Sequence, residues 1–454
     1  MADSSQNSFE VMERSSTLPA PADAVFAWHA RPGAIETVLP PWEHIRVTQQ
    51  GGGITDGGRL QLSVPVGPFR VRWVGRHRNT IPGRQFVDEQ VSGPFRHWSW
   101  LHKMIPDGDS RSAAFDRVEW APPLALLTRR PVRRRIERML RYRHEILINE
   151  FAQGMPAQPL TVVVGGATGF IGAQLVHALR AAGHRVLRLV RHHPGPDDIV
   201  WQPARQELDP RRLDGVDAVI NLAGASIAAR WTTDHKRAIR ESRTSSTALL
   251  ARTIASLGRK PSVLVNVSAV GWYGDGGEEL LSETSPAGAG FLADVCQAWE
   301  ARADPARDAG IRVVHPRLGM VLSPAGGSLP LLMLPIKLGV GGRLGAGDQW
   351  MSWAALDDVL GALRFAIEHP TLDGPVNISG TPVRNRDFVR TLASVLHRPA
   401  AVPVPAWLLR LVTGEMGREV VLASQRADST RLRASGYRMR YGELEPALRH
   451  VLGR

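Results

Sequence analysis

Residues 160–172 read Leu-Thr-Val-Val-Val-Gly-Gly-Ala-Thr-Gly-Phe-Ile-Gly, and an amphipathic stretch then leads to Arg185-Val-Leu-Arg-Leu-Val-Arg191. Leu160 to Val164 is a short apolar run, too brief for a helix and stopped by Gly165-Gly166. From Ile171 the apolar residues Ile171, Leu175, Val176 and Leu179 recur at helical spacing, and Ala182-Gly183 closes the segment. The pattern is strand, glycine-rich turn, helix, strand. Gly166, Gly169 and Gly172 need no Cβ clearance, so this turn, with Thr168, Phe170 and Ile171 in it, can bring backbone amides to a pyrophosphate at the helix N-terminus. A glycine pattern alone is weak evidence, but here a strand precedes it and a helix follows. A plain structural turn would not need three spaced glycines.

The end of the second strand bears on which dinucleotide is held. A site for NAD usually places Asp or Glu about 20 residues past the glycines to hold the ribose 2′-hydroxyl. This chain has Val190-Arg191-His192-His193 there, and no acid before Asp197. A guanidinium at Arg191 suits a 2′-phosphate, because it offers several donors and a full charge. The sequence therefore predicts NADP, against the alternative of a solvated arginine at a strand end.

At 454 residues the chain is long for one core, and two or three domains are expected. A net charge of +13 raises the question of nucleic acid, but the charge is not concentrated. Residues 1–150 carry 21 basic and 16 acidic groups, which leaves 35 and 27 for the rest. The densest run, Arg129 to Arg143, interleaves with Val132, Ile136, Met139 and Leu140 and reads as the solvated face of a packed helix. The single cysteine, Cys296, excludes an intrachain disulfide framework and a Cys-rich metal site. His192, His193 and His315 show no ligand spacing, so no metal is expected. The start has neither a basic nor an apolar signal region, and no apolar run has the length of a spanning helix. A cytoplasmic protein is expected.

Residues 8–150 read as a separate α+β domain. A short helix is expected over Asp23–Trp28. Alternating strands follow, with Leu60, Leu62, Val64 and Val66 on one face, and Phe69, Val71 and Trp73 set against Arg70 and Arg72. Further strand-like segments lie at 85–91, 95–102 and 115–120, and a helix over roughly 124–147 closes the unit. This order, with Gly93-Pro-Phe-Arg-His-Trp98 and Asp116-Arg-Val-Glu-Trp120, resembles the helix-grip fold of START-like (SRPBCC), polyketide cyclase/dehydrase-type proteins. That resemblance implies an interior cavity and a small hydrophobic ligand. A packed core without a ligand would show the same inward aromatic residues.

Gln153 to Pro159 is a linker by composition, so the parts on either side are expected to fold separately. Strand Asp217–Leu222, helix Lys236–Ala255, strand Ser262–Ser268, helix Ala293–Ala303 and strand Arg312–Pro316 then alternate, which implies a doubly wound parallel sheet over 159–375. A small C-terminal α/β region is expected over 376–454, with helical segments at Asn385–Leu396 and Ala406–Val412.

From 160 onward the chain resembles the extended short-chain dehydrogenase/reductase superfamily, and more narrowly its "epimerase family" oxidoreductases with a C-terminal domain of their own. The residues that carry the resemblance are Gly166-Ala-Thr-Gly-Phe-Ile-Gly172, Asn221-Leu-Ala-Gly224, Arg230-Trp231, Ser242-Arg243 and Ser268-Ala-Val-Gly-Trp-Tyr-Gly274. Cys296-Gln-Ala-Trp-Glu300, Arg317-Leu-Gly319, Gly347-Asp-Gln349, Trp353 and Asp357-Asp358 continue it in order. The resemblance implies a Rossmann fold holding NADP. It places Leu222, Ala223 and Gly224 beside the adenosine, Arg243 and Arg237 near phosphate, and Glu300 toward the ribose or nicotinamide. Arginines on a helix face are also commonly just solvated.

The superfamily's catalytic pair breaks the pattern. Its Tyr-x-x-x-Lys uses the tyrosine to exchange a proton and the lysine to lower the tyrosine's pKa. The four tyrosines here, Tyr142, Tyr273, Tyr437 and Tyr441, are followed four residues on by Ile146, Gly277, Tyr441 and Glu445. The expected tyrosine falls at Phe291 or Leu292, with Val295 or Cys296 in place of lysine, and the partner Ser/Thr position holds Ala269, one place from Ser268. Tyr273 and Ser268 are the remaining catalytic candidates; Cys296, among apolar neighbours, reads as inert. Two functions stay open: an NADP-dependent oxidoreductase or epimerase with an altered acid/base set, or an NADP-binding regulatory protein with a ligand-holding N-terminal domain.

Overall fold

The computed structural model describes residues 9–123 and 125–454. It divides into two compact units between Ala157 and Gln158, inside the linker composition.

The first unit opens with strand β1 (Glu10–Leu18) and helices α1 (Ala22–His29) and α2 (Ala34–Val38). Strands β2 (Arg46–Gly51), β3 (Arg59–Val66), β4 (Phe69–Ile81), β5 (Gln85–Ser92), β6 (His97–Pro106) and β7 (Ser112–Ala121) follow, then the long helix α3 (Ala125–Gln153). The strands form one antiparallel sheet in the order β1-β7-β6-β5-β4-β3-β2. β7 alternates strictly between buried and half-buried positions, as a sheet with one covered face must. Ile136, Leu140, Ile146 and Leu147 of α3 are buried in clusters with Trp73, Phe86, Trp98, Met104, Val118 and Trp120 of the sheet. A long C-terminal helix over an antiparallel sheet is the helix-grip arrangement. β1 and β2 were not legible in the sequence, and α3 runs six residues beyond its expected end.

The second unit is a nine-stranded, mostly parallel sheet flanked by helices. Its principal strands are β8 (Thr161–Gly165), β9 (Arg185–Val190), β10 (Asp198–Gln202), β11 (Ala218–Asn221), β12 (Val263–Asn266), β13 (Arg312–Leu318) and β14 (Gly374–Ile378). They lie in the order β10-β9-β8-β11-β12-β13-β14, so the strand order reverses beside β8. This is the Rossmann order, and ligands of such sheets lie beyond the strand C-termini at that reversal. The helices are α4 (Phe170–Ala182), α5 (Thr233–Ala255), α6 (Phe291–Ala301), α7 (Asp304–Asp308), α8 (Leu329–Lys337), α9 (Leu356–Glu368), α10 (Asn385–Leu396) and α11 (Ala406–Thr413), with two more at Thr430–Ala434 and Leu444–Leu452. Val162, Val164, Ile220, Val263 and Val265 are fully buried, the continuous apolar core that a sheet covered on both faces requires. α10 buries Phe388, Val389 and Leu392 with Leu448 and Val451 in a separate C-terminal core.

Candidate functional site

The turn between β8 and α4 is built around contacts that no side chain could share. A Cβ on Gly172 would stand 2.1 Å from the Gly166 carbonyl oxygen, and one on Gly166 2.7 Å from the Leu222 carbonyl carbon. Gly166 also takes φ +75°, a left-handed conformation that favours glycine. The Gly169 amide closes the turn on the Gly166 carbonyl (2.9 Å). Thr168 and Gly169 are exposed, Phe170 and Ile171 half-buried, and the chain enters the 13-residue helix α4 at Phe170. The first amides of such a helix lack intrahelical partners and favour an anion.

Leu222 donates its amide to the Gly165 carbonyl (2.9 Å), which brings the Leu222–Gly224 segment against the glycine turn. Arg243 of α5 donates from Nη1 to the carbonyls of Ala225 and Ile239 (both 3.0 Å), and its guanidinium lies 5.2 Å from the Trp299 ring centre. A Cβ on Gly224 would meet that guanidinium at 3.0 Å. Burial lowers the Arg243 pKa, and no carboxylate counters it among the described residues. Arg191 is exposed beyond β9, and Val190 before it is buried. Arg237, by contrast, is exposed on α5 and bonds Asp234 one turn back (2.6 Å), the bland arrangement for a helix-face arginine.

Ser268, Glu300, Arg317, Tyr273 and Asn377 form one buried network beyond the strand ends. Arg317 at the end of β13 holds Glu300 of α6 with two hydrogen bonds, both 2.9 Å, and Ser268 donates to the same carboxylate at 2.7 Å. Burial opposes the Arg317 charge, yet the bonds and charge of Glu300 raise its pKa. The Arg317 guanidinium stacks 3.9 Å from the Trp272 ring centre and donates from Nη1 to the Tyr273 hydroxyl (3.1 Å). That hydroxyl in turn donates to Asn377 Oδ1 (2.8 Å). Tyr273 is 3% exposed, and burial raises its pKa. Tyr273, a catalytic candidate from the sequence, thus has a buried hydroxyl engaged both as donor and as acceptor. Ser268 is likewise spent on Glu300, and Glu300 is neutralised within the fold.

Phe291, which with Leu292 marks where the superfamily pattern expects tyrosine, opens α6. The amides of Phe291 and Leu292 donate to the two carboxylate oxygens of Glu419 (3.1 and 3.0 Å), so a distant acid caps this helix. Lys236 lies 4.5 Å from the Phe291 ring centre and bonds both oxygens of Glu415 (2.8 and 2.9 Å). Burial, reinforced by Glu300, pushes the Cys296 thiol up to about 12, which fits an inert cysteine.

The first unit contains a second cluster that the sequence did not announce. His77 of β4 lies opposite Asp88 of β5, and His102 of β6 opposite Asp116 of β7, the two pairs set diagonally to each other by two residues on the covered face as a polar belt. His102 Nδ1 donates to Asp116 Oδ1 (2.5 Å), and its Nε2 lies 3.3 Å from Asp88 Oδ2. His77 Nδ1 lies 2.5 Å from the other Asp88 oxygen. From α3, Arg143 Nε and His144 Nε2 both reach Asp116 Oδ2 at 2.9 Å. Arg143 also donates to His29 Nε2 (2.7 Å), while His29 Nδ1 donates to the Val25 carbonyl (2.7 Å). His29 is therefore a neutral imidazole, and burial, then Arg143, drives its pKa well down. Burial opposes ionisation of Asp116, but Arg143 and His102 hold its carboxyl well below the usual range; the two histidines beside Asp88 do the same for it. Arg143 thus departs from the solvated face expected of the Arg129–Arg143 run.

Comparisons with known proteins agree with this architecture. The "NAD dependent epimerase/dehydratase family" model matches residues 162–379, "Polyketide cyclase / dehydrase and lipid transport" matches 18–145, and a domain of unknown function matches 404–451. An epimerase family protein of Mycobacterium bovis is 41% identical over 296 residues, covering 64% of this chain and 98% of that protein. The crystal structure of a nucleoside-diphosphate sugar epimerase from Corynebacterium glutamicum superimposes with a TM-score of 0.81 at 32% identity, covering 97% of this chain and 90% of that one. Human epimerase family protein SDR39U1 (isoform 2) with NADPH gives 0.60 at 33% identity, covering 64% and 99%. The chain belongs to the epimerase family, with a domain of the polyketide cyclase/dehydrase (SRPBCC) type at its N-terminal end.

Proposed function

We propose that residues 159–375 bind NADP(H) and that the chain is an oxidoreductase or epimerase-like enzyme acting on a small hydrophobic substrate. The observation that carries the reading is the glycine turn, whose closest contacts a Cβ would fill, at the strand-order reversal of a Rossmann sheet. The residues present fit the cofactor. The amides at the start of α4, after the Gly166–Gly172 turn, would hold the pyrophosphate, Leu222 to Gly224 would flank the adenosine, and exposed Arg191 would meet the 2′-phosphate. Arg243 holds the Gly224 loop in place from beneath. The NADPH complex of the human relative supports the same cofactor. When bound, NADP(H) supplies or accepts the hydride.

In this reading Tyr273 and Ser268 are positioning residues: they fix Arg317 and Glu300, which together set the floor beyond β12 and β13. The SRPBCC-type domain captures the hydrophobic ligand. A second reading, an NADP-binding regulatory protein without turnover, is favoured by the engaged Tyr273 hydroxyl and by Phe291 or Leu292 in the tyrosine position.

Fluorescence titration tests the cofactor. NADPH should bind at least tenfold more tightly than NADH, about 1.4 kcal/mol, and Arg191→Ala should remove the preference. Equal affinities in the native chain would sink the assignment. Mass spectrometry of small molecules that co-purify, followed by NADPH consumption with each, separates the two readings.

A further inference from the structure

Two segments of the second unit, 328–345 and 397–414, contain no acidic residue between them. Their backbones are joined: Val404 donates to the Arg343 carbonyl and Gly345 to the Val404 carbonyl, both at 2.9 Å. The first segment carries α8 and the second α11, so these bonds tie the chain that follows α8 to the chain that leads into α11. Leu331, Leu334, Leu338, Trp407, Leu411 and Val412 lie on these two joined segments, each 59–69% exposed. α11 buries none of its residues, although most of them are apolar. Single exposed apolar residues are ordinary, but six of them on two joined segments mark an interaction surface.

The charges on the same surface identify what would cover it. Lys337, Arg343, Arg398 and Arg410 are its ionised groups, all exposed. Among the described residues none of the four takes part in an ion pair or a side-chain hydrogen bond. The next acids along the chain are committed elsewhere, Asp348 to Arg386, Glu415 to Lys236 and Glu419 to the start of α6. A second copy docking through the same patch would set like charges against each other, because a two-fold contact pairs a surface with itself. Tryptophan and leucine beside unpaired Lys and Arg on a short amphipathic helix are what a bilayer interface carrying anionic headgroups accommodates.

We propose that α8, α11 and the strands of chain joining them form a membrane-adsorbing face, on which Trp407, Leu411 and Leu334 enter the headgroup region and Lys337 and Arg410 meet anionic lipid. The attachment is peripheral, since among the described residues no helix is long and apolar enough to cross a membrane.

The test is co-sedimentation of the full chain with vesicles of phosphatidylcholine alone, or of phosphatidylcholine and phosphatidylglycerol in equal parts. The anionic vesicles should bind roughly tenfold or more of the protein, with the excess falling as salt rises. The double variant Trp407→Ser/Leu411→Ser should lose binding to the anionic vesicles. Lys337→Glu/Arg410→Glu should lose the preference over neutral ones by about tenfold or more. All four positions are exposed, so thermal melting should be unchanged and a folding defect can be told apart from a loss of adsorption. Failure to bind anionic vesicles overturns the proposal. So does a concentration-dependent dimer, seen by sedimentation equilibrium, that the same variants abolish. Cofactor titration stays independent of either outcome.

Discussion

In the antiparallel unit, four histidines share the interior with Asp88, Asp116 and Arg143. In the parallel unit the buried network is Glu300, Arg317, Tyr273, Asn377 and Ser268, with no histidine in it. Both bury charge, and both satisfy it with hydrogen bonds rather than solvent. They differ in how they are assembled. The belt across β4 to β7 is made by register: two directly opposed pairs, His77–Asp88 and His102–Asp116, meet diagonally on the covered face. The Glu300–Arg317 network is made by convergence, in which a helix, two strands and a loop meet beyond the sheet's carboxyl edge. The first cluster also contains His29, whose pKa burial drives down, so it answers to acid.

The largest expected effects come from removing the central carboxylate of either cluster. Glu300→Gln strands Arg317, and Asp116→Asn strands Arg143 and His102. Each should cost its own unit about 3–5 kcal/mol, the usual penalty for an uncompensated buried charge. Urea denaturation followed by hydrogen exchange would assign each loss to its unit. A loss below about 1 kcal/mol at either site would end the comparison, because that cluster would then be loosely held.

Tyr273→Phe removes a hydroxyl that serves both Asn377 and Arg317, and should cost about 1–3 kcal/mol. NADPH affinity should be unaffected. If instead the variant is as stable as the parent but inactive toward an identified substrate, Tyr273 would have to be restored as a proton donor.

Acid should separate the two units further. The folded pKa of His29 lies below its unfolded value of 6.5, so the stability it contributes is present above that value and is lost as pH falls through it. Each pH unit below should cost the first unit up to about 1.4 kcal/mol from His29 alone. Asp88 and Asp116 are also depressed, so their contribution persists until pH falls below the unfolded value of 3.8. His29→Gln keeps an acceptor for Arg143 and should flatten the slope just below pH 6.5. An unchanged slope would assign the acid response to another group.

How much of this could be read from the chain follows from how local each feature is. The β8–turn–α4 segment was legible because three glycines and a helical repeat lie within two dozen residues. Helix α10 was found at its observed bounds, since its apolar positions recur cleanly and Pro399 follows closely. β10 was missed: Asp197-Asp198 reads as loop, and only the pairing of Asp198 with Arg188 on the neighbouring strand explains a buried acid there. The histidine belt was missed for the same reason, since register between strands is not written in one strand's sequence. One local signal was present. Asp116 interrupts the inward row Ser112, Ala114, Val118 and Trp120 of an otherwise regular strand, where an unpaired acid would not be tolerated. Arg143, one turn beyond Leu140 on the covered side of α3, carries a similar message.

The Glu419 carboxylate has a bearing on modularity. By gripping the two leading amides of α6, it makes a residue near the carboxyl end of the polypeptide part of the helix that supplies Glu300. The matched segment 404–451 is thereby a keystone rather than an appendage. Exchanging that segment between relatives would transplant the anchor of α6 along with it, so chimeras should inherit the geometry around Glu300 from whichever parent provides Glu419.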